Sequence, residues 1–352
     1  MDAMTPPLTT RRRPGERLKG LLGSRWALLT VLALVVAGLW LMASLQGIPG
    51  QRVLSLMVRG VMLGGILALG AIGLSLIFGV LRIPNFAHGD MMTSGAYLAL
   101  LALSFIPLGA PLGPFSFGYE FLVALVIAMP LVGLLGYALD RLVFRRLRNQ
   151  KSPPVIMAMA ALGSAFLIRS LIYVFWGADF VFYYTGRPRP AFELFAGIRV
   201  RPDQLFILGL ALAMIILVYL LLERTKMGKA MRATADNPEL ARVTGIDTES
   251  VIRWTWLIGG GLAGAGGVMY GLDAQLRPEM GWWLLLPLFA AVILGTIGNA
   301  YGALVGALVI GIVWQVSTAF LNPAYGPGVA FMVLILVLLF RPQGIFGKPG
   351  GA

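Results

Sequence analysis

Apolar residues in this chain come in long runs instead of alternating with polar ones. The runs cover about 26–45, 54–81, 91–106, 119–141, 155–176, 204–222, 252–272, 285–298, 300–320 and 328–341. A helix needs roughly 20 apolar residues to span about 30 Å of hydrocarbon. The pattern therefore predicts an all-α polytopic integral membrane protein with ten apolar segments and about 8–10 transmembrane helices, some of them broken or half helices. Two segments depart from a simple span. Residues 54–81 are too long for one untilted crossing and are expected to tilt or to run partly along the interface. Residues 285–298 reach only about 21 Å as a helix, which predicts a half-helix with a break at Thr296–Asn299.

Charge orients the runs. Arg11, Arg12, Arg13, Arg17, Lys19 and Arg25 precede the first run, which is too long for the core of a cleaved signal peptide. Residues 1–25 thus read as a basic cytoplasmic tail and 26–45 as an extra first helix. Residues 54–341 form the core, and 342–352 form a cytoplasmic tail. With single crossings from inside, Arg82, the five basic residues from Arg141 to Lys151, the six from Arg224 to Arg253, Arg341 and Lys348 all fall on the inner side. Only Arg52, Arg187, Arg189, Arg199, Arg201 and Arg277 fall outside, which agrees with positive charge marking the cytoplasmic face. Arg59 and Arg169 lie within apolar segments. Arg59 is expected to snorkel to the outer face, and Arg169 is expected to form a structural pair, a substrate carboxylate being its other candidate partner. Trp176, Tyr183, Tyr184, Trp282 and Trp283 read as an outer aromatic belt.

Composition narrows the chemistry. The chain is 58% hydrophobic and 12% charged, about half the charge of soluble domains. It has no cysteine and a single histidine, so disulfides, thiolate sites and His-cluster metal sites are excluded. The net charge of +13 sits in short loops beside the spans, which points to topology and anionic membrane lipid and away from nucleic acid. Lys229 is followed by Ala230 and Lys348 by Pro349, so neither belongs to a Walker A loop. With no nucleophile motif or paired carboxylates, the chain reads as no enzyme.

The polar island Glu223–Arg253 has internal order. Asn237 reads as an N-cap, Pro238 as the first helical residue and Glu239 as a carboxylate on the positive helix end. Gly245 suits a left-handed closing residue, giving about two turns from Pro238 to Thr244, and Asp247 is placed to cap the next helix. A doubly capped short helix on a cytoplasmic loop (223–251) predicts a docking element built on Asn237, Pro238, Glu239, Ala241, Arg242 and Gly245.

A second polar cluster follows Pro84, which disfavours continued helix. Pro84, Asn85, Phe86, His88, Gly89 and Asp90 form a broken segment near the cytoplasmic end of a span, readable as a hinge or as part of a translocation path. Seven glycines fall between Gly259 and Gly271, and Gly298, Gly302 and Gly306 repeat every four residues. Gly260, Gly264, Gly267, Gly271, Gly298, Gly302 and Gly306 are expected to let helices approach closely, within the chain or at a subunit interface or path.

Several strings resemble one family. Asn85-Phe86-Ala87-His88-Gly89-Asp90 with Gly95-Ala96-Tyr97 is one. Others are Arg224-Thr225 with Gly228 and the glycine-rich helix beyond, Leu294-Gly295-Thr296-Ile297-Gly298-Asn299 with Gly302, and Arg341-Pro342-Gln343-Gly344-Ile345-Phe346-Gly347. Together, over roughly 54–347, they resemble the branched-chain amino acid permease family of ABC importers, of the LivH type. Within that family's Glu-Ala-Ala-x-x-x-Gly loop, Glu239, Ala241 and Gly245 match, whereas Leu240 replaces the first Ala and the downstream Ile-x-Leu-Pro is absent.

The resemblance implies an ABC importer permease fold in the bacterial inner membrane, with no cofactor bound by this chain. Its partners would be a second, related permease subunit, two cytoplasmic ATPase subunits carrying ATP and magnesium, and a periplasmic substrate-binding protein. The cargo would be a branched-chain amino acid. Urea or short amides on the same architecture, and an ion-coupled secondary transporter, are the alternative readings.

Overall fold

The computed structural model describes residues 37–38, 40–42, 44–185, 191–193, 198–340 and 342–347. The basic tail 1–25, most of the run 26–45, and Arg187, Arg189, Arg341 and Lys348 lie outside the described residues. The described chain is helical: α1 (Gly50–Leu81), α2 (His88–Phe105), α3 (Tyr119–Leu139), α4 (Arg145–Asn149), α5 (Pro154–Trp176), α6 (Pro202–Arg224), α7 (Lys226–Asp236), α8 (Pro238–Val243), α9 (Thr248–Asp273), α10 (Met280–Leu294), α11 (Ala300–Ser317) and α12 (Gly326–Phe340). The two short strands β1 (Phe192–Glu193) and β2 (Arg199–Val200) pair antiparallel in the long loop before α6.

Among the described residues, five helices are long and apolar enough to cross a membrane: α1, α3 continued through α4, α5, α6 and α11. The glycine-rich α9 and the polar start of α2 fall below that apolarity, yet both are buried in the bundle. A helix enclosed by other helices needs small side chains for close approach more than it needs hydrophobicity.

The overlong segment forms one continuous helix. At 32 residues, α1 is about 48 Å long. Its middle is buried on every side, because α6, α9, α10 and α11 pack around it. It ends at Arg82, in a left-handed conformation (φ 54°), with the Arg82 N–H donating to Phe78 O. α3 passes through Pro130 and continues by a π-helical turn, Asp140–Phe144, into α4. Asp140 and Arg148 form a two-point pair across that turn at 3.0 and 3.4 Å.

α10 starts earlier than its apolar run, at Met280, and the chain breaks at Gly295–Asn299, with Thr296 and Gly298 both at φ 81°. Asn299 Oδ1 then accepts from the Tyr301 and Gly302 N–H groups and starts α11. α10 and α11 form an antiparallel hairpin in which Gly302 lies on Gly295 and Gly306 on the Ala291 carbonyl. The hairpin turn faces Gly79, two residues from the end of α1, so the break lies at that end of the bundle.

The loops sort to two ends. Arg82 donates to Ala235 O, Arg145 pairs with Glu249, and Tyr301 donates to Glu223. Ile345 N–H donates to Leu294 O, which brings the C-terminal segment to the same basic end. The 105–119 loop, the β1–β2 hairpin, the α9–α10 turn and the α11–α12 connection occupy the other.

Candidate functional site

The Pro84–Asp90 segment starts near the basic end and runs inward, so His88 and Asp90 lie deeper than the hydropathy pattern placed them. After Arg82 the chain turns back alongside α1, and His88 Nε2 donates to Gly70 O at 2.8 Å. Gly70 is 11 residues before Leu81, about 16 Å up the helix, so α2 begins deep in the bundle. Pro84 lacks the N–H that continued helix needs. Asn85 Oδ1 then accepts from Ala87 N–H at 3.1 Å, a local turn that starts α2.

Each residue of the Asn-Phe-Ala-His-Gly-Asp string has a distinct placement. The Phe86 ring packs on Phe289 of α10, centroids 5.1 Å apart. Gly89 and Gly281 press backbone to backbone, where a Cβ on either would strike the other's carbonyl. Gly281 N–H also donates to Thr93 Oγ1 at 3.0 Å, locking the start of α10 to α2. Asp90, fully buried, receives Arg169 through two parallel hydrogen bonds, Nε to Oδ1 and Nη2 to Oδ2, both 2.9 Å. The Arg169 guanidinium lies over two neighbouring rings, 4.8 Å from the Trp282 centroid and 5.4 Å from Phe166. Such a fork pair with aromatic cover is favourable for a charge held away from water. Arg169 therefore has a protein carboxylate as its partner. Trp282 is not simply an interface residue, and Tyr183 is buried with its hydroxyl donating to Ala96 O at 2.9 Å.

The basic end carries the second candidate. Asn237 Oδ1 accepts from Glu239 and Leu240 N–H at 3.1 and 3.0 Å, Pro238 opens α8, and Gly245 sits at φ +88°. Gly245 N–H donates to Arg242 O and Ile246 N–H to Ala241 O, closing the helix end. Asp247 Oδ1 caps α9 through Glu249 and Ser250 N–H, both at 3.1 Å. Ala241 is buried, whereas Leu240 and Val243 are 60% and 85% exposed. A short, rigidly capped helix thus presents two apolar side chains outward.

α7, which precedes α8, was not anticipated from the hydrophobic pattern. Its signal was the Thr225–Gly228 spacing: Thr225 Oγ1 accepts from Gly228 N–H at 3.0 Å, and a Cβ at Gly228 would strike the Leu221 and Leu222 carbonyls. Arg232 of α7 pairs with Glu223 of α6 at 2.6 Å, and Glu223 also accepts from Tyr301 of α11 at 2.8 Å. The capped loop is therefore tied by side chains to α1, α6 and α11.

The glycines of α9 make close approaches inside the chain. Gly260 lies on Gly133 and the Val132 carbonyl of α3, Gly264 on Val132 and on Gly95 of α2, and Gly271 on the Tyr183 ring. A Cβ at Gly267 would overlap the Met92 carbonyl.

The family model described as branched-chain amino acid transport system / permease component matches residues 56–338. The chain is similar to the high-affinity branched-chain amino acid transport system permease protein LivH of Escherichia coli (strain K12), at 30% identity over 298 residues, which is 83% of this chain and 95% of the relative. It is 28% identical to the corresponding permease BraD of Pseudomonas aeruginosa over 305 residues, again 83% of this chain and 95% of the relative. It is 29% identical to the probable LivH of Methanocaldococcus jannaschii over 294 residues, 80% and 89% of the two chains. No solved structure matches at a significant level. With the family model covering most of its length, this integral membrane protein belongs to the permease components of branched-chain amino acid transport systems.

Proposed function

We propose that this chain is the membrane-spanning subunit of an ATP-driven importer, moving branched-chain amino acids handed over by a binding protein on the outer side. The basic end faces the cytoplasm of the inner membrane. Two ATPase subunits dock there, and a second, related permease subunit completes the pore. The single observation that carries the reading is α8, two turns of helix fixed at both ends, with Leu240 and Val243 exposed among basic residues. Its rigidity suits a part that transmits force. The Glu223–Arg232–Tyr301 network and the Arg82–Ala235 bond give its motion a route into α1, α6 and α11.

Deep in the bundle, Pro84–Asp90 acts in this reading as the hinge between α1 and α2. His88 and Asp90 each have a fixed partner in Gly70 O and Arg169. Use of Asp90 as a proton carrier would break its pair with Arg169, which speaks against that route. Purification from the native membrane in mild detergent, followed by identification of co-purifying chains, tests this assembly. Two ATPase polypeptides and a homologous permease are expected, and a chain that purifies alone under conditions preserving its stability would contradict it.

A further inference from the structure

A cavity of about 490 Å³ opens at the end of the bundle opposite the basic loops, lined by Arg59, Ala191, Arg199, Arg201, Gln204, Asp273 and Gln315. Its size falls within the roughly 300–1,000 Å³ of small-molecule sites. Five elements converge on it. Arg59 comes from α1, Arg199 from β2, Gln204 from α6 with Arg201 just before it, Asp273 from the end of α9, and Gln315 from α11.

The charges around it are unevenly satisfied. Arg201 Nη2 binds Asp273 Oδ1 at 2.6 Å and its backbone carbonyl at 3.0 Å, and Gln204 Nε2 donates to the same Oδ1 at 2.9 Å. Asp273 is thus held in place with its second oxygen, Oδ2, uncommitted among the described residues. The Arg59 and Arg199 side chains form no hydrogen bond or ion pair among the described residues. Two unpaired guanidiniums therefore face a concave wall that also holds one oriented carboxylate. A cleft with this imbalance concentrates anions. Guanidinium forks match carboxylate geometry, and a carboxylate oxygen accepts from an ammonium.

We propose that this cavity binds the zwitterionic head of an α-amino acid, with the α-carboxylate on Arg59 and Arg199 and the α-ammonium on Asp273 Oδ2. The site reads the head group and not the side chain, because Ala191 is its only apolar lining residue among the described residues. It is a capture point at the outer mouth, and selection among side chains takes place elsewhere. The proposal rests on the amino-acid import reading above.

The chain has no cysteine, so a single Gln315→Cys reports on the cavity alone. The complete chain is reconstituted in phosphatidylcholine nanodiscs and the rate of thiol labelling is followed against leucine. Leucine and alanine are expected to slow labelling at similar concentrations, whereas 3-methylbutylamine, which lacks the carboxylate, gives no protection. Arg59→Gln and Arg199→Gln should each raise the half-protecting leucine concentration about tenfold or more, the loss of one charge-assisted hydrogen bond. Lys229→Cys, at the basic end, should label at a rate independent of leucine. A leucine-dependent thermal shift of the cysteine-free chain, lost in Arg59→Gln, gives the same readout without the probe.

Labelling and melting both indifferent to leucine would overturn the site. Protection that appears only with phosphatidylglycerol and not with leucine would overturn it in favour of a lipid phosphate. ATP-driven uptake by the assembled complex is measured in parallel. Normal uptake without protection removes the site alone, and protection without ATP-driven uptake keeps the site and removes the importer reading.

Discussion

Asp90 and Arg169, 79 positions apart in sequence, meet as a two-point ion pair with both N···O distances at 2.9 Å. Asp90 is fully buried, and the Arg169 side chain is 12% exposed. The pair joins the start of α2 to α5, a helix with few other close partners inside the chain. It therefore holds α5 in place and fixes the depth at which α2 begins.

Removing either partner leaves a buried charge uncompensated. Arg169→Met or Asp90→Leu alone should lower stability by about 3–5 kcal/mol, read as a lower melting temperature and reduced yield in detergent. The double variant Asp90→Leu/Arg169→Met should recover much of that loss, and a double-mutant cycle measures the coupling. Additive losses would show that the pair contributes nothing as a pair.

Glycine positions separate close approach from open space. Gly267→Ala would place a methyl on the Met92 carbonyl and should destabilise by roughly 1–3 kcal/mol through overpacking. Gly163 of α5 has no neighbour among the described residues within 4 Å of an added Cβ, so Gly163→Ala should be neutral or stabilising by about 0.5–1 kcal/mol. Thermal unfolding of the two variants side by side is the check, and equal behaviour would refute the packing account of α9.

The capped loop predicts loss of coupling without loss of folding. Val243 is 85% exposed, so Val243→Asp should leave the melting temperature unchanged while ATPase subunits no longer co-purify. Gly245, at φ +88°, should suffer a strain of roughly 1 kcal/mol or more as Gly245→Val, lowering transport and substrate-stimulated ATP hydrolysis together. Full coupling in both variants would rule out α8 as the docking element.

Charge and geometry together predict sidedness. In a chain without cysteine, Arg199→Cys should react with an impermeant thiol reagent in intact spheroplasts. Arg146→Cys and Lys229→Cys should react only after lysis. The reverse pattern would invert the orientation of the whole bundle.

What the sequence made legible was local chemistry. The caps at Asn237 and Asp247 and the left-handed Gly245 depend on backbone groups within a few residues, so residue type and spacing reveal them. The break at Thr296–Asn299 was visible for the same reason. α7 escaped because its amphipathic turns carry little hydrophobic signal, and the Thr225 cap with Gly228 was its only local mark. The depth of His88 was misjudged because hydropathy follows runs along the chain, and a segment that turns back beside α1 has no signature in that count. Neither the partner of Arg169 nor the burial of Tyr183 follows from spacing, since α2 and α10 reach them only through the tertiary fold.

The most direct test of the account is leucine uptake into vesicles holding the complex purified with its co-purifying chains and supplied with the binding protein. Accumulation should require ATP and magnesium on the side of the basic loops, should persist when ionophores collapse all ion gradients, and should be abolished by Val243→Asp. Uptake that proceeds without ATP and disappears with the ion gradient would contradict it.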